Sequence, residues 1–182
     1  MSLRTVCVYC GSSKGDKEEY SHAAKRLGEE LADRNIRLVY GGGSLGLMGD
    51  VASAVQQRGG RVLGIIPKHL EPSEISGKTY GEVLVTENMH ERKMHMASLA
   101  DAFVALPGGF GTLEELLEII TWRQLNLHSK HIGVLNTEGY FDCLLHFFDQ
   151  AVGAGFINSE ARDMLIQAKT PELLIEKLLL AS

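Results

Sequence analysis

The sequence predicts one doubly wound α/β domain spanning residues 1–182, with a Rossmann-like parallel sheet and helices on both faces. Short runs rich in β-branched residues alternate along the chain with longer stretches in which apolar residues recur at helical spacing. The short runs are almost continuously apolar, which is typical of parallel strands buried on both faces. No internal repeat or linker interrupts this order, so the repeated strand–helix units are expected to form one sheet.

The strands and helices alternate from the first residues onward. The run 5–9 is the first strand, and the helix after it repeats apolar or small residues from Tyr20 to Ala32. The predicted strands are 5–9, 36–40, 61–66, 83–85, 102–106 and 131–135, of which the last is the final strand of the sheet. The predicted helices are 17–34, 47–58, 89–100, 112–125, 140–153 and 171–180. Residues 68–81 are expected to form a long loop, and loops of that length are usually functional or mobile.

Composition and charge exclude several classes of protein. The 182 residues include 20 glycines without a three-residue period, which excludes collagen, and the 45% hydrophobic content with only 4 prolines excludes disorder. A net charge of −5 argues against nucleic acid or an anionic membrane as a partner. No run approaches the roughly 18 apolar residues that a membrane span needs. There is no signal-peptide cleavage pattern, and three cysteines are too few for a disulfide framework, so we expect a cytoplasmic protein.

Ligands of a doubly wound sheet bind outside the carboxyl ends of its strands. The candidate binding residues are therefore expected in the strand-to-helix turns, of which three are rich in glycine or hydroxyl groups. The first turn follows strand 5–9 and contains Gly11, Ser12 and Ser13. Its backbone N–H and hydroxyl groups can donate hydrogen bonds to a phosphate. An ordinary tight turn would use the same residues, so the first turn is a candidate phosphate contact through Gly11 and Ser12 without being diagnostic.

The second turn, residues 41–49, holds five glycines and a literal G-x-G-x-x-G. A dinucleotide site is disfavoured, because the ribose-binding acid expected about 20 residues later is absent and position 66 is Ile66. Small residues before a helix nevertheless expose N–H groups where the helix dipole favours anions. Gly42, Gly43 and Ser44 are therefore a candidate phosphate site.

The third turn, residues 107–115, is the most informative. Thr112 and Glu115 have the spacing of a capping box, so one interpretation is simply a well-capped helix. That interpretation does not require a proline and three glycines, since bare backbone is needed only where something approaches it closely. A phosphate-binding turn with a carboxylate one helical turn later is the favoured interpretation.

Two adjacent cations, Arg92 and Lys93, lie near the start of the predicted helix 89–100. A helix N-terminus repels positive charge, and an anionic substrate nearby would offset that repulsion. A solvated surface pair is the alternative. The neighbouring His90 and His95 are five residues apart and do not share a helix face, so we exclude a zinc site of the H-E-x-x-H kind.

Together these motifs resemble a known family. Residues 107–115 fit P-G-G-x-G-T-x-x-E without a mismatch, and residues 89–93 resemble the companion pattern M-H-x-R-K. With the turn 41–49, they make the chain similar over essentially its whole length to the Lonely Guy family of cytokinin riboside 5′-monophosphate phosphoribohydrolases. Members of that family were long labelled lysine decarboxylases.

The resemblance implies hydrolysis of the N-glycosidic bond in N6-modified adenosine 5′-monophosphates, cytokinin ribotides or AMP itself, to free base and ribose 5-phosphate. It implies no cofactor and no metal, and a homodimer with the site near the subunit interface. Arg92 and Glu115 resemble the catalytic pair. Residues that resemble further substrate contacts are Glu74, Lys93, Gly109, Phe110, Gly111, Thr112, Leu113, Glu114 and Thr121.

A second hypothesis is a nucleotide-binding or carrier module without chemistry. The same glycine turns would then bind phosphate, and Glu115 would only cap its helix. Release of free base from a ribotide distinguishes the two hypotheses.

Overall fold

Seven strands and seven α-helices make up the computed structural model, which describes residues 3–70 and 79–181. The strands are β1 (Thr5–Tyr9), β2 (Arg37–Tyr40), β3 (Val62–Pro67), β4 (Glu82–Thr86), β5 (Ala102–Ala105), β6 (His131–Leu135) and β7 (Leu165–Ala168). The helices are α1 (Glu18–Asp33), α2 (Gly46–Gln57), α3 (Met89–Leu99), α4 (Phe110–Gln124), α5 (Asp142–Gly153), α6 (Ser159–Asp163) and α7 (Pro171–Ala181). A short 3-10 helix, Thr137–Gly139, follows β6.

The strands form one parallel sheet in the order β4-β3-β2-β1-β5-β6-β7. The chain builds outward from β1 to β4, then returns to the other side of β1 with β5. Val8 of β1 is therefore paired with both Tyr40 of β2 and Val104 of β5. The strand order reverses between β1 and β5, and this reversal leaves a crevice at their carboxyl ends.

Two hydrophobic cores lie on opposite faces of the sheet, because side chains alternate along each strand. Val6 and Val8 belong to the core covered by α1, α2 and α7, whereas Cys7 and Tyr9 belong to the core covered by α3, α4 and α5. Each core is filled mainly by aliphatic and aromatic side chains that are almost fully buried. The connections after β1 and β5 lead to helices on different faces, so the crevice between them stays open.

The structure confirms the doubly wound α/β prediction and corrects one part of it. The prediction that residues 131–135 form the final strand was wrong, because β7 adds a seventh strand beside β6, with Ile132 paired to Leu165. This strand has only four residues and includes the exposed Gln167, so its sequence alone carries little strand signal. The short helix α6 before it was also not predicted.

Of the predicted loop 68–81, residues 71–78 lie outside the described part of the chain. In the parts that are described, no helix is long and apolar enough to cross a membrane.

Candidate active site

A cavity of about 320 Å³ lies at the carboxyl ends of β1, β2 and β5, at the reversal of strand order. We call it the site cavity. It brings together residues from all three predicted turns and from α3. The predicted site residues that line it are Gly11, Ser12, Arg92, Gly109, Phe110, Gly111, Thr112, Glu114 and Glu115. Motifs separated by more than 100 residues in the chain therefore meet in one place.

Arg92 and Glu115 form a buried pair on the wall of the site cavity. Arg92 Nη2 lies 3.8 Å from Glu115 Oε1, and the side chains are only 7% and 11% exposed. This separation is long for a hydrogen bond, so the pair attracts mainly through charge. Arg92 Nε is buried without a hydrogen-bond partner in the described residues. Arg92 itself lines the cavity, so guanidinium N–H groups can donate to an anionic or carbonyl group that enters it.

Gly41 explains how Arg92 reaches this position. A Cβ at Gly41 would lie only 2.1 Å from Arg92 Nη2, so any larger residue would displace the guanidinium. Gly41 also lines the site cavity. The first glycine of the second turn thus makes room for a side chain of α3. The prediction that Arg92 is more than a solvated surface charge agrees with its burial.

The helix after the third turn begins earlier than the sequence predicted. Helix α4 starts at Phe110 with Gly109 as its N-cap, so Thr112 lies in the first turn and Glu115 in the second. The capping-box interpretation was therefore wrong, because neither side chain is at a capping position. Both are buried instead, and both line the site cavity.

The glycines of the third turn have two different uses. A Cβ at Gly108 would lie 2.1 Å from Thr112 Oγ1, so Gly108 is needed for packing inside the turn. A Cβ at Gly109 or Gly111 would meet nothing within 4 Å, although both residues line the site cavity. Their bare backbone therefore faces the open cavity, as a closely approaching ligand requires.

The second turn contributes less to the cavity than its glycine content suggested. Gly41 lines the site cavity, but the described lining does not include Gly42, Gly43 or Ser44. Gly42 has a φ of +81° and packs against β3, where a Cβ would lie 3.0 Å from the Ile66 Cβ. Their predicted phosphate contact stays a prediction that the geometry of this cavity does not favour.

Lys93 lies beside the site cavity and connects two helices. Its Nζ donates to Glu114 Oε1 at 2.6 Å and to Glu118 Oε1 at 3.1 Å. Burial by itself lowers the pKa of Lys93, but hydrogen bonds to the two carboxylates outweigh it and raise the pKa. Lys93 therefore stays charged and ties α3 to α4, which holds Arg92 opposite Glu115.

Two further predicted contacts, Thr121 and Leu113, do not line this cavity. Thr121 is exposed and donates to the Leu117 carbonyl oxygen at 2.7 Å, and it lines a separate groove of about 120 Å³. Leu113 is half-buried and packs against the core under α4. Glu74 lies outside the described residues.

Several residues of the site were missed by sequence reasoning. Tyr9, Cys10, Met48, Leu70 and Met89 also line the site cavity. Burial raises the pKa of the Cys10 thiol, with the charge of Glu115 as the next contribution, so Cys10 stays protonated and is a poor nucleophile. These five residues lie at strand ends or beside the recognised motifs, and that position is the sequence signal by which they could have been found.

A second cavity of about 340 Å³ adjoins the first, and we call it the rear cavity. Gly11, Ser12 and Gly109 line both. Tyr140 lines the rear cavity, and its hydroxyl donates to the Gly108 carbonyl oxygen at 2.6 Å, which fixes the third turn from behind. No local pattern connects Tyr140 with that turn, 32 residues earlier in the chain.

Comparison with known proteins shows the family of this chain. A family model described as "Possible lysine decarboxylase" matches residues 48–178. A cytokinin riboside 5′-monophosphate phosphoribohydrolase of Arabidopsis thaliana is 56% identical over 176 residues, which cover 97% of this chain and 82% of the relative. This chain belongs to that family. A probable enzyme of the same name from Oryza sativa subsp. japonica is 58% identical, over 97% of this chain and 72% of the relative.

Solved structures share the fold at lower identity. The molybdenum cofactor carrier protein from Chlamydomonas reinhardtii aligns over 99% of both chains with a TM-score of 0.73 and 24% identity. The molybdenum cofactor binding protein from Rippkaea orientalis aligns over 98% of this chain and 96% of its own, with a TM-score of 0.70 and 20% identity. Likeness at this level of identity shows the fold alone.

Proposed function

We propose that this member of the phosphoribohydrolase family hydrolyses the N-glycosidic bond of N6-modified adenosine 5′-monophosphates. The products are the free base and ribose 5-phosphate. The buried Arg92–Glu115 pair beside bare glycine backbone is the observation that carries the proposal. A volume of about 320 Å³ is within the range of small-molecule sites.

The proposed chemistry uses the two buried charges. As the bond from the ribose carbon to the base nitrogen breaks, its electron pair leaves with the base and positive charge builds on the sugar. The Glu115 carboxylate stabilises that charge or positions the attacking water. The water oxygen bonds to the sugar carbon, and its proton is taken up by the departing base. Arg92, which lines the site cavity, holds the phosphate or the leaving base through its guanidinium N–H groups.

The substrate phosphate is proposed to bind where the first and third turns meet. Gly11 N donates to the Pro107 carbonyl oxygen at 3.0 Å, which joins the two turns. Ser12, Gly109 and Gly111 then supply polar and bare backbone groups around the site cavity. Lys93 acts indirectly in this proposal, by holding Glu114 and α4 in place.

A decarboxylase that uses a pyridoxal cofactor is a weaker proposal, despite the description of the matching family model. Such an enzyme needs a lysine that can form a Schiff base inside its cavity. Among the described residues that line the site cavity, none is a lysine. Lys93, the nearest in sequence to the site, is held by two carboxylates.

Replacing Glu115 by Gln tests the proposed function directly. We expect turnover of N6-isopentenyladenosine 5′-monophosphate to fall by roughly two to four orders of magnitude, because a charged acid–base group is lost. The measurement is the free base released, separated by reversed-phase chromatography. Glu118→Gln is the matched control and should keep its activity, because Lys93 retains the contact with Glu114.

Two results contradict the proposal. Turnover of Glu115→Gln at the wild-type rate would remove Glu115 from the chemistry. A wild-type protein that binds the ribotide tightly and releases no base would be the nucleotide-binding module instead.

We also propose that the chain acts as a homodimer with the site near the interface. Helices α4 and α5 and the C-cap of α4 leave large apolar side chains in solvent, among them Leu117, Phe147 and the C-cap residue Leu125. Thr121 and Leu117 line the groove of about 120 Å³ on that surface. An exposed apolar patch of this kind is typical of subunit contacts. Thr121 could then contact the substrate of a partner subunit, since it does not face the site cavity of its own chain.

The double variant Leu117→Glu/Leu125→Glu tests the dimer. Charge on this surface should convert a dimer into a monomer, because an unpaired carboxylate would be buried at the interface. Light scattering after size exclusion measures the mass. Leu180→Glu, on the opposite face of the sheet, is the control and should leave the mass unchanged. A double variant that keeps the dimeric mass would contradict the proposed surface.

The proposed compartment is the cytoplasm, and the proposed partner is a small nucleotide rather than a nucleic acid or a membrane. Cys7 and Cys10 are buried in different cores, and Cys143 is an exposed free thiol. Free thiols of this kind are typical of reducing compartments.

A further inference from the structure

The connection between β1 and α1 lines both cavities, but few backbone hydrogen bonds hold it in place. Gly11 is held at its start, where its carbonyl oxygen accepts from Leu47 N at 3.0 Å and Met48 N at 3.3 Å. Among the described residues, the next backbone hydrogen bond of this connection is at Lys17, whose carbonyl oxygen accepts from Tyr20 N. Between these points lie Ser12 of the site cavity and Lys14 of the rear cavity.

A buried carboxylate stands behind this connection. Asp50 lies in α2, and among the buried residues of that helix, all of which the structure describes, it carries the one charge. Its Oδ1 is 3.6 Å from Lys14 Nζ and 3.9 Å from Lys25 Nζ, whereas its Oδ2 is buried without a hydrogen-bond partner in the described residues. An incompletely satisfied buried charge destabilises a fold, so an apolar residue would serve packing better here.

Helix α2 is also packed directly against the connection that Asp50 faces. A Cβ at Gly46, the first residue of α2, would lie 2.2 Å from the carbonyl carbon of Ser12. The first turn of α2 therefore packs directly against the backbone of Ser12. Asp50, one turn further along the helix, attracts Lys14 from the same side. The two contacts hold the connection at Ser12 and again at Lys14.

From this arrangement we infer that Asp50 is a positioning residue. Through Lys14 it fixes the β1–α1 connection, and with it Ser12, at the edge of the site cavity. Asp50 does not line either cavity in the described residues, so it acts through the connection rather than on the substrate. The inference rests on the function proposed above, and it predicts an effect on nucleotide affinity with no effect on bond cleavage.

Lys14 and Lys25 provide a matched pair for the test, because both contact the same carboxylate oxygen and only Lys14 lies on the connection. We expect Asp50→Asn and Lys14→Met each to raise KM for N6-isopentenyladenosine 5′-monophosphate about fivefold, the equivalent of a partly exposed ion pair. Their kcat should stay within about twofold of wild type. The double variant should resemble either single variant, because both remove the same contact. Lys25→Met should leave KM and kcat unchanged.

Asp50→Asn also separates positioning from direct contact between Lys14 and the substrate phosphate. If Lys14 bound the phosphate directly, removing its carboxylate partner would lower KM. A lowered or unchanged KM in Asp50→Asn overturns the inference, and so does an equal effect of Lys25→Met. A fall in kcat with KM unchanged overturns it as well. If Asp50→Asn does not fold, the comparison of Lys14→Met with Lys25→Met decides, since both lysines are exposed.

The dissociation constant of ribose 5-phosphate, measured by calorimetry on the same variants, does not depend on turnover. Weaker binding by Asp50→Asn and Lys14→Met, with unchanged binding by Lys25→Met, supports the positioning role. A wild-type protein that binds ribose 5-phosphate and does not hydrolyse the ribotide would contradict the proposed function alone. Equal binding by the wild type and all the variants would contradict the positioning role alone.

Discussion

The two richest glycine turns have similar compositions and opposite uses. In the turn after β2, Gly42 and Gly46 have positive φ values, and a side chain at either would contact neighbouring protein at 3.0 Å or less. In the turn after β5, side chains at Gly109 and Gly111 would meet nothing within 4 Å. The turn after β2 omits side chains so that protein can pack against it. In the turn after β5, Gly109 and Gly111 leave open space above their backbone, which is where we propose that a ligand binds.

Glycine content therefore does not by itself locate a binding site. Both turns follow a strand and begin a helix, and both satisfied the phosphate-binding pattern in the sequence. What separates them is whether the space above the backbone is filled by the protein itself. Substitution by alanine probes that space directly, because it adds one methyl group and changes little else.

The largest expected effect is that of Gly46→Ala on stability. Alanine at a φ of +60° is strained, and its Cβ would overlap the backbone of Ser12. We expect the free energy of unfolding, measured in urea, to fall by about 2–4 kcal/mol. Gly59→Ala is the control, since Gly59 has a φ of +74° and nothing within 4 Å, so it should lose only about 1–2 kcal/mol from the backbone.

Equal losses for Gly46→Ala and Gly59→Ala would show that the turn after β2 is not tightly packed. The contrast between the two glycine turns would then fail, because its first half rests on that packing.

Gly111→Ala should have a smaller effect, and in the opposite direction on stability. Gly111 lies in the first turn of α4 with open space around it, so alanine should raise the free energy of unfolding by up to about 1 kcal/mol. The added methyl group enters the site cavity, so KM for the ribotide should rise by roughly tenfold.

Gly153→Ala is the matched control for Gly111→Ala. Gly153 ends α5, also with nothing within 4 Å, and it does not line the site cavity in the described residues. It should gain stability without any change in KM. If Gly111→Ala left KM at the wild-type value, the bare backbone of the third turn would not be a ligand-binding surface.

Much of the fold could be predicted from the sequence because its signals are local. Apolar strands and amphipathic helices alternate, and this pattern predicts a parallel sheet covered on both faces. The strand β7 could not be predicted, because four residues that include an exposed Gln167 carry almost no periodicity. It is defined by its pairing with β6, which is a tertiary contact.

The site shows the same division. Arg92 and Glu115 were identified from motifs, and the family to which the chain belongs was identified from the same residues. Their burial, and the 3.8 Å separation of their charged groups, depend on α3 and α4 covering the same core and on the ion pairs of Lys93 that link the two helices. The helix start at Phe110 was missed because Thr112 and Glu115 fit a local capping pattern that the tertiary structure does not use.

The sequence by itself determined the layered α/β architecture and the motifs by which the family is recognised, because both depend on residue spacing along the chain. Only the tertiary structure decided which glycines have open space above them, since that depends on whether distant side chains such as Arg92 fill it. It likewise brought Asp50 into an ion pair with Lys14, and the Tyr140 hydroxyl into a hydrogen bond with the Gly108 carbonyl oxygen. These contacts join segments that are 36 and 32 residues apart, and no local pattern encodes them.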